Sequence, residues 1–372
     1  MTEGEQADVL IIGGGIVGCA CAYELTKRGA TVTLLEYGKA GMQATNAAAG
    51  MLAPLSDASG PDAMFRAGLE ALRAYPALVA ELEQECGFDL EYRQEGILRV
   101  AFEDTDAAEL RHRFAWQREM GFDVRWLGGN ACREIEPRIT SRSINGVLSP
   151  SEATVSNQLV ALALERASRK RGVAVREHSP VTRVRRSQER VVALDAGGET
   201  YRAEAIVLAA GARSGQVARK MGIALPVFPI RGQMIALGGM ACPIGRPVWG
   251  PEGYLVPRVN GLVFAGATVE DVGFRRRTTK GGARAMRAMA ARLVPQLSAA
   301  KVHFEWAGLR PATADGQPII GPVPGSNVIA ATGHYRNGIL LGPLTGSWVA
   351  AGIVKGTWDG VPPEFRYERL SG

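Results

Sequence analysis

The sequence predicts an α/β chain built on two sheets, one parallel and flanked by helices, the other largely antiparallel and part of an α+β region. Three observations predict it. Val9-Leu10-Ile11-Ile12 is a short, apolar, β-branched-rich run, the pattern of a strand buried on both faces, and it leads directly into Gly13-Gly14-Gly15-Ile16-Val17-Gly18 and a helix. Ala205 to Gly211 and Val328 to Gly333 repeat the apolar strand ending in glycine much later in the chain. Between them, from Tyr92 to Leu148 and again from Gln233 to Thr268, short strands occur without β-α-β order, which points to antiparallel pairing.

Each element has a local reason. The first helix runs from the glycine turn to Arg28 and stops at Gly29, a residue suited to the left-handed cap. Thr31 to Leu35 is the second strand, and Glu36 stands at its end. In such a unit Gly13 permits the tight turn, Gly15 lets the backbone approach a pyrophosphate, and Gly18 lets helix and strand pack closely. The helix N-terminus presents free N–H groups to phosphate. Glu36 lies about twenty residues on, where a carboxylate accepts hydrogen bonds from ribose hydroxyls. Strand, turn, helix, strand and acid in that order predict a dinucleotide site, without separating a nicotinamide from a flavin. The small-residue stretch Gly41 to Leu52 reads equally as backbone lying flat on a ring system or as a tightly packed helix start.

Further along, Asp62 to Glu85 is an amphipathic helix. Gly96 to Phe102, Val124 to Leu127 and Ile144 to Leu148 are strands around a helix from Asp104 to Met120. Asn157 to Arg171 is helical, and hairpin strands follow to Arg202. Gln233 to Leu237, Tyr254 to Arg258 and Leu262 to Thr268 return to the second sheet, followed by helices at Lys280 to Leu293 and Gly338 to Lys355. The chain is therefore expected to cross repeatedly between two domains: segments 1–88, 151–225 and 305–372 build the nucleotide-binding one, and 89–150 and 226–304 the other.

Composition narrows the function classes. The 372 residues are 46% apolar and include 46 glycines, which excludes disordered and fibrous classes and fits close backbone approaches to a ligand. The net charge of +6 comes from scattered basic residues. The run Arg275-Arg276-Arg277 has no interleaved aromatics and reads as a solvated loop, so no nucleic-acid partner is expected. Cys19, Cys21, Cys86, Cys132 and Cys242 show neither zinc-ligand nor redox spacing and read as buried thiols of a reducing compartment, with no metal site. No uninterrupted apolar run reaches spanning length, and the start lacks a basic region before its apolar stretch. A cytoplasmic protein with no membrane partner is expected.

Two late motifs carry the chemistry: Trp306-Ala307-Gly308-Leu309-Arg310-Pro311 and Gly333-His334-Tyr335-Arg336-Asn337-Gly338. With the N-terminal fingerprint, the block Asn46-Ala47-Ala48-Ala49-Gly50-Met51-Leu52 and Gly253-Tyr254-Leu255-Val256-Pro257-Arg258, they make the chain resemble the D-amino-acid-oxidase-type family of FAD amine oxidases. Within it the likeness is to the glycine-oxidising members of thiamine biosynthesis, and it covers nearly the whole chain. The resemblance implies a Rossmann-type FAD domain and oxidative deamination of glycine, another small amine or a D-amino acid, with oxygen as acceptor and peroxide as product. It implies that Tyr254, Arg310 and Arg336, with Met51, form the substrate site, Arg310 pairing with the carboxylate. The implied FAD-binding set is Gly13, Gly15, Ile16, Val17, Gly18, Glu36, Tyr37, Ala44, Thr45, Ala48, Ala49, Gly50, Met51, Val181, Gly211, Gly333, His334, Tyr335, Arg336, Asn337, Gly338, Ile339 and Leu340. Sarcosine-oxidase-like relatives tether FAD through a cysteine just past the corresponding arginine. Pro311-Ala312-Thr313-Ala314-Asp315 has none, so noncovalent FAD is expected. A homo-oligomer, a tetramer by resemblance, is also implied. A D-amino-acid dehydrogenase passing electrons to another carrier, a sarcosine oxidase of the same fold, an NAD-dependent dehydrogenase and a non-catalytic flavin-binding or RNA-modification-associated module remain as alternatives.

Overall fold

The computed structural model describes residues 5–239 and 244–371, so the expectation for Cys242 lies outside the described residues. The first sheet is centred on Glu5–Ile12, which pairs in parallel with Glu199–Leu208 on one side and Val32–Leu35 on the other. Ala174–Arg176 extends it beyond Val32–Leu35, and Val328–Thr332 beyond Glu199–Leu208, both in parallel; Ile319–Pro322 closes that edge antiparallel. The four residues of Val32–Leu35 are all buried, as a parallel strand covered on both faces requires.

Two helices decide how this sheet is covered. Ile16–Thr26 and Gly338–Lys355 pack against each other over it. An added Cβ at Gly346 would lie 2.6 Å from the Ala20 carbonyl carbon, so glycine there is what lets the two backbones touch. Gly338–Lys355 has the length and a mean hydropathy of 1.3 that a membrane span also shows. Here it is a core helix, with Ile339, Leu340, Leu341, Trp348 and Val349 buried in the largest apolar cluster. Ala63–Cys86 is N-capped by Asp62, whose carboxylate accepts from the Phe65 N–H at 2.8 Å, and ends at Gly87 with φ 76°.

The second sheet runs in the order Lys301–Ala312, Phe228–Gly238, Val263–Gly266, Gly253–Pro257, Val248–Gly250, Ile97–Ala101, Asn145–Ser149, Arg125–Gly128. All its pairings are antiparallel except Val248–Gly250 with Ile97–Ala101. The expected antiparallel second region is present. The strand Lys301–Ala312, which carries Arg310, belongs to this sheet, whereas 305–372 was expected wholly in the first domain. Its far end reaches the first domain: the Tyr335 N–H donates to the Pro311 carbonyl at 2.8 Å, which fixes the two arginine motifs side by side. Cys19, Cys21 and Cys132 are buried and Cys86 partly so, all as free thiols.

Candidate active site

One continuous cleft of about 470 Å³ lies between the two sheets, within the size range of cofactor and substrate sites. Its nucleotide end is built by the first strand-turn-helix. Gly13 has φ 112°, and a Cβ there would sit 2.3 Å from the Ala209 carbonyl oxygen, so only glycine makes this turn. A Cβ at Gly18 would lie 1.8 Å from the Gly13 oxygen, beneath the turn. A Cβ at Gly15 would meet a single protein atom within 4 Å, the Thr45 hydroxyl oxygen at 3.3 Å. Gly15 therefore faces the cleft, where a phosphate can reach the backbone, and as the N-cap residue it brings no capping side chain of its own. Thr45 accepts from the Ile16 N–H at 3.0 Å and pins the 44–47 turn to this helix end.

Glu36 is buried. Its carboxylate accepts from the Gly14 N–H at 2.8 Å and the Gly38 N–H at 2.9 Å. Burial raises its pKa, and these two bonds pull it back. A carboxylate offers about four acceptor sites, so two remain for ribose hydroxyls. The cradle thus fits a dinucleotide with an unphosphorylated ribose.

The stretch read two ways in the sequence does start a short helix, and part of it lines the cleft. Ala44–Ala47 is a short helix, Ala48 is extended, and Met51–Leu52 pairs with Ala153–Thr154; Ala44, Thr45 and Ala47 to Met51 line the cleft, while Leu52 turns into the core. The segment is clamped from the other sheet by the Trp306 indole N–H, which donates to the Ala47 carbonyl at 3.1 Å.

At the opposite end Tyr254, Arg310 and Arg336, three of the four residues implied for the substrate, come together. Arg310 reaches across Gly232, where a Cβ would lie 2.4 Å from both terminal guanidinium nitrogens, and donates to the Thr268 carbonyl at 3.0 Å. Tyr254 stacks edge-on against Trp249 at 5.6 Å. Burial raises the Tyr254 pKa first of all; the Arg310 and Arg336 guanidiniums oppose this and Asp57 adds to it. Those four side chains share one neighbourhood. Arg336 is paired with Asp57 at 2.8 Å, and Asn337 donates to the other Asp57 oxygen at 3.2 Å. His334 is buried and bonded to the Thr345 hydroxyl at 2.9 Å; burial pushes its pKa down to about 4, so it is neutral.

Ile16, Val17, Tyr37, Ala48, Ala49, Gly50, Val181, Gly211, Tyr335, Gly338 and Ile339 also line the cleft. Three residues of the expected set do not. Gly18 packs under the turn, Leu340 points into the core, and Gly333, with φ 82°, lies 2.9 Å by its Cβ position from the Thr313 methyl group. Helix periodicity explains Leu340: it follows Ile339, which faces the cleft, by about 100° of turn. Sequence reasoning passed over Asp57, Trp249, Arg213, Lys220 and Arg276, all on the cleft wall. The Arg275–Arg277 run is exposed, as expected, but Arg276 also lines the cleft and donates to the Gln43 side-chain oxygen at 2.5 Å. Among the described residues no cluster of His, Cys, Asp and Glu could hold a metal ion.

A sheet pair enclosing a dinucleotide cradle at one end and a guanidinium without a carboxylate partner among the described residues at the other has the layout of a dinucleotide-dependent enzyme with room for a small anion. The family model described as DAO, FAD dependent oxidoreductase, matches residues 8–351, and the chain belongs to that family. FAD is its cofactor. It is similar to the glycine oxidase of Geobacillus kaustophilus (strain HTA426), with 35% identity over 346 residues, 92% of each chain. The crystal structure of glycine oxidase from Geobacillus kaustophilus superposes with a TM-score of 0.91 at 33% identity, covering 94% of this chain and 95% of that one. The bifunctional protein ThiO/ThiG of Nostoc sp. (strain PCC 7120 / SAG 25.82 / UTEX 2576) is 35% identical over 368 residues, 97% of this chain but 55% of that protein. The iminodiacetate oxidase (IdaA) of Chelativorans sp. BNC1 has the same fold, with a TM-score of 0.85 at 28% identity and coverage of 96% and 98%.

Proposed function

We propose that this chain oxidises glycine, or a comparably small amino acid such as sarcosine or a small D-amino acid, with molecular oxygen as electron acceptor and a place in thiamine biosynthesis. The observation that carries the reading is Arg310: among the described residues no carboxylate pairs with this half-buried guanidinium, and it lies on the cleft wall with Tyr254. An unpaired cation in such a place is a receptor for an anion.

FAD, which the cradle of Gly13, Gly15 and Glu36 would hold, would supply two-electron acceptor chemistry for the carbon bearing the amine, with oxygen as the final acceptor and hydrogen peroxide as the product. The residues of the chain supply position. Arg310 holds the substrate carboxylate, and its planar fork restricts rotation about that group. Tyr254 keeps its proton, because burial raises its pKa, and so remains a donor to the same carboxylate. His334 is neutral and already bonded to Thr345, so it holds the helix start in place and takes no proton from the substrate. Met51, Ala49 and Trp249 close the wall with mainly apolar surface that limits water near the amine. Size selection comes from the same wall, and one methyl group is worth about 1–3 kcal/mol of discrimination. None of the four described cysteines lines the cleft, which supports noncovalent FAD.

Anaerobic mixing of the yellow holoprotein with candidate amines tests this. Glycine and sarcosine are expected to bleach the flavin absorbance and L-amino acids to leave it unchanged. A flavin that none of the small amines reduces would refute the reading.

A further inference from the structure

The two guanidiniums at the substrate end of the cleft are in contrasting states. Arg310 has no carboxylate partner among the described residues, whereas Arg336 pairs with Asp57 at 2.8 Å and lies at the mouth with its side chain 45% exposed. An exposed pair of this kind is ordinarily weak and easily opened by a competing anion. This one is built differently on the acid's side. Asp57 is only 17% exposed, and both its oxygens are used, by Arg336 and by Asn337.

Its backbone is also strapped down. The Gln117 amide donates to the Leu55 carbonyl at 2.8 Å. Arg99 donates to the Ser56 carbonyl, and Arg113 to the carbonyls of Asp57, at 3.2 Å, and Ala58. The buried carboxylate of Glu152 takes both the Ser56 N–H, at 2.8 Å, and the Ser56 hydroxyl. Successive carbonyls from 55 to 58 are thus tied to the second domain. Asp57 is a fixed negative charge, and an incoming anion cannot push it aside to reach Arg336.

We propose that Asp57 determines specificity by the number of carboxylates: it holds Arg336 neutralised, so the site takes an amine bearing one carboxylate and rejects an amine bearing two. The proposal rests on Arg310 as the anchor of the single carboxylate. A second carboxylate on the amine nitrogen's other arm finds at the mouth only a satisfied ion pair and the Asp57 charge. Freed from Asp57, Arg336 would offer the planar fork that carboxylates bind best.

The test uses holoprotein and a matched pair of ligands without an oxidisable amine: methoxyacetate, with one carboxylate, and oxydiacetate, with two. Binding is read from perturbation of the flavin absorption spectrum. The wild type is expected to bind oxydiacetate at least tenfold more weakly than methoxyacetate. In Asp57→Asn that ratio should shrink at least tenfold, and the double variant Asp57→Asn/Arg336→Gln should lose the gain. Arg336→Gln alone, which leaves Asp57 unpaired, should widen the ratio and provides the same test should Asp57→Asn not fold. A ratio within twofold of wild type in both single variants overturns the proposal, as does a gain that survives in the double variant. A wild-type flavin indifferent to methoxyacetate overturns the Arg310 anchor, and this proposal with it.

Discussion

Replacing Gly232 by alanine is expected to disable Arg310 without removing its charge. Gly232 lies in the strand Phe228–Gly238 opposite Gly308, and the Arg310 guanidinium occupies the space its missing side chain leaves. A Cβ there would stand 2.4 Å from both terminal nitrogens and 2.5 Å from the guanidinium carbon. Comfortable contact needs about 3.5 Å, so the fork must move by roughly 1 Å. The backbone itself accepts alanine, because Gly232 is not among the positive-φ glycines, and the obstructed atoms are the far end of a flexible side chain. Folding and flavin content should therefore be kept. What is lost is alignment: the bond to the Thr268 carbonyl and the bidentate grip on substrate. A charge-assisted hydrogen bond contributes about 1.5–3 kcal/mol, which corresponds to a roughly 10- to 150-fold weaker carboxylate affinity. The assay is titration of the oxidised flavin spectrum with methoxyacetate, alongside kcat/KM for glycine. Arg310→Lys, which keeps the charge and loses the fork, should fall in the same range. An alanine variant that binds the carboxylate as tightly as wild type would show that Arg310 is not the anchor.

Two further outcomes can be checked directly. Burial raises the Glu152 pKa to about 7 from an ordinary 4.5, so the folded protein holds a proton that the unfolded chain has released. The stability this group contributes is complete below pH 4.5 and is lost as pH rises through 7, so Glu152→Gln should flatten the decline of Tm between pH 5 and 8. A decline as steep as that of wild type would show that Glu152 titrates normally. No lysine or arginine lines the cleft between residues 12 and 57, and Arg276 enters it from the loop before the helix Lys280–Leu293 to meet Gln43. Arg276→Ala should weaken FAD binding to the apoprotein by about two- to fivefold, the scale of an exposed charge contact, with Arg275→Ala as the unaffected control. Fluorescence titration of FAD measures it, and equal affinities in the two variants would remove Arg276 from the cofactor site.

Local chemistry was enough for the nucleotide cradle, because its parts are consecutive. Val9 to Glu36 specify strand, turn, helix and acid through spacing alone, and the structure places Gly13, Gly15 and Glu36 as that spacing requires. The helices Lys280–Leu293 and Gly338–Lys355 were legible with their boundaries for the same reason. Arg310 and Arg336 stood out by their glycine-rich surroundings, but nothing within either motif distinguishes a free guanidinium from a paired one. That difference comes from Asp57, some 279 positions away from Arg336, held in place by Arg99, Arg113 and Gln117 from the second domain and by Glu152. The slot at Gly232 is likewise invisible until its strand lies against Lys301–Ala312. Backbone conformation and helix-end chemistry depend on neighbours in the chain, so sequence determines them. Charge state and accessibility depend on which groups lie within a few ångströms, and only the folded chain decides that.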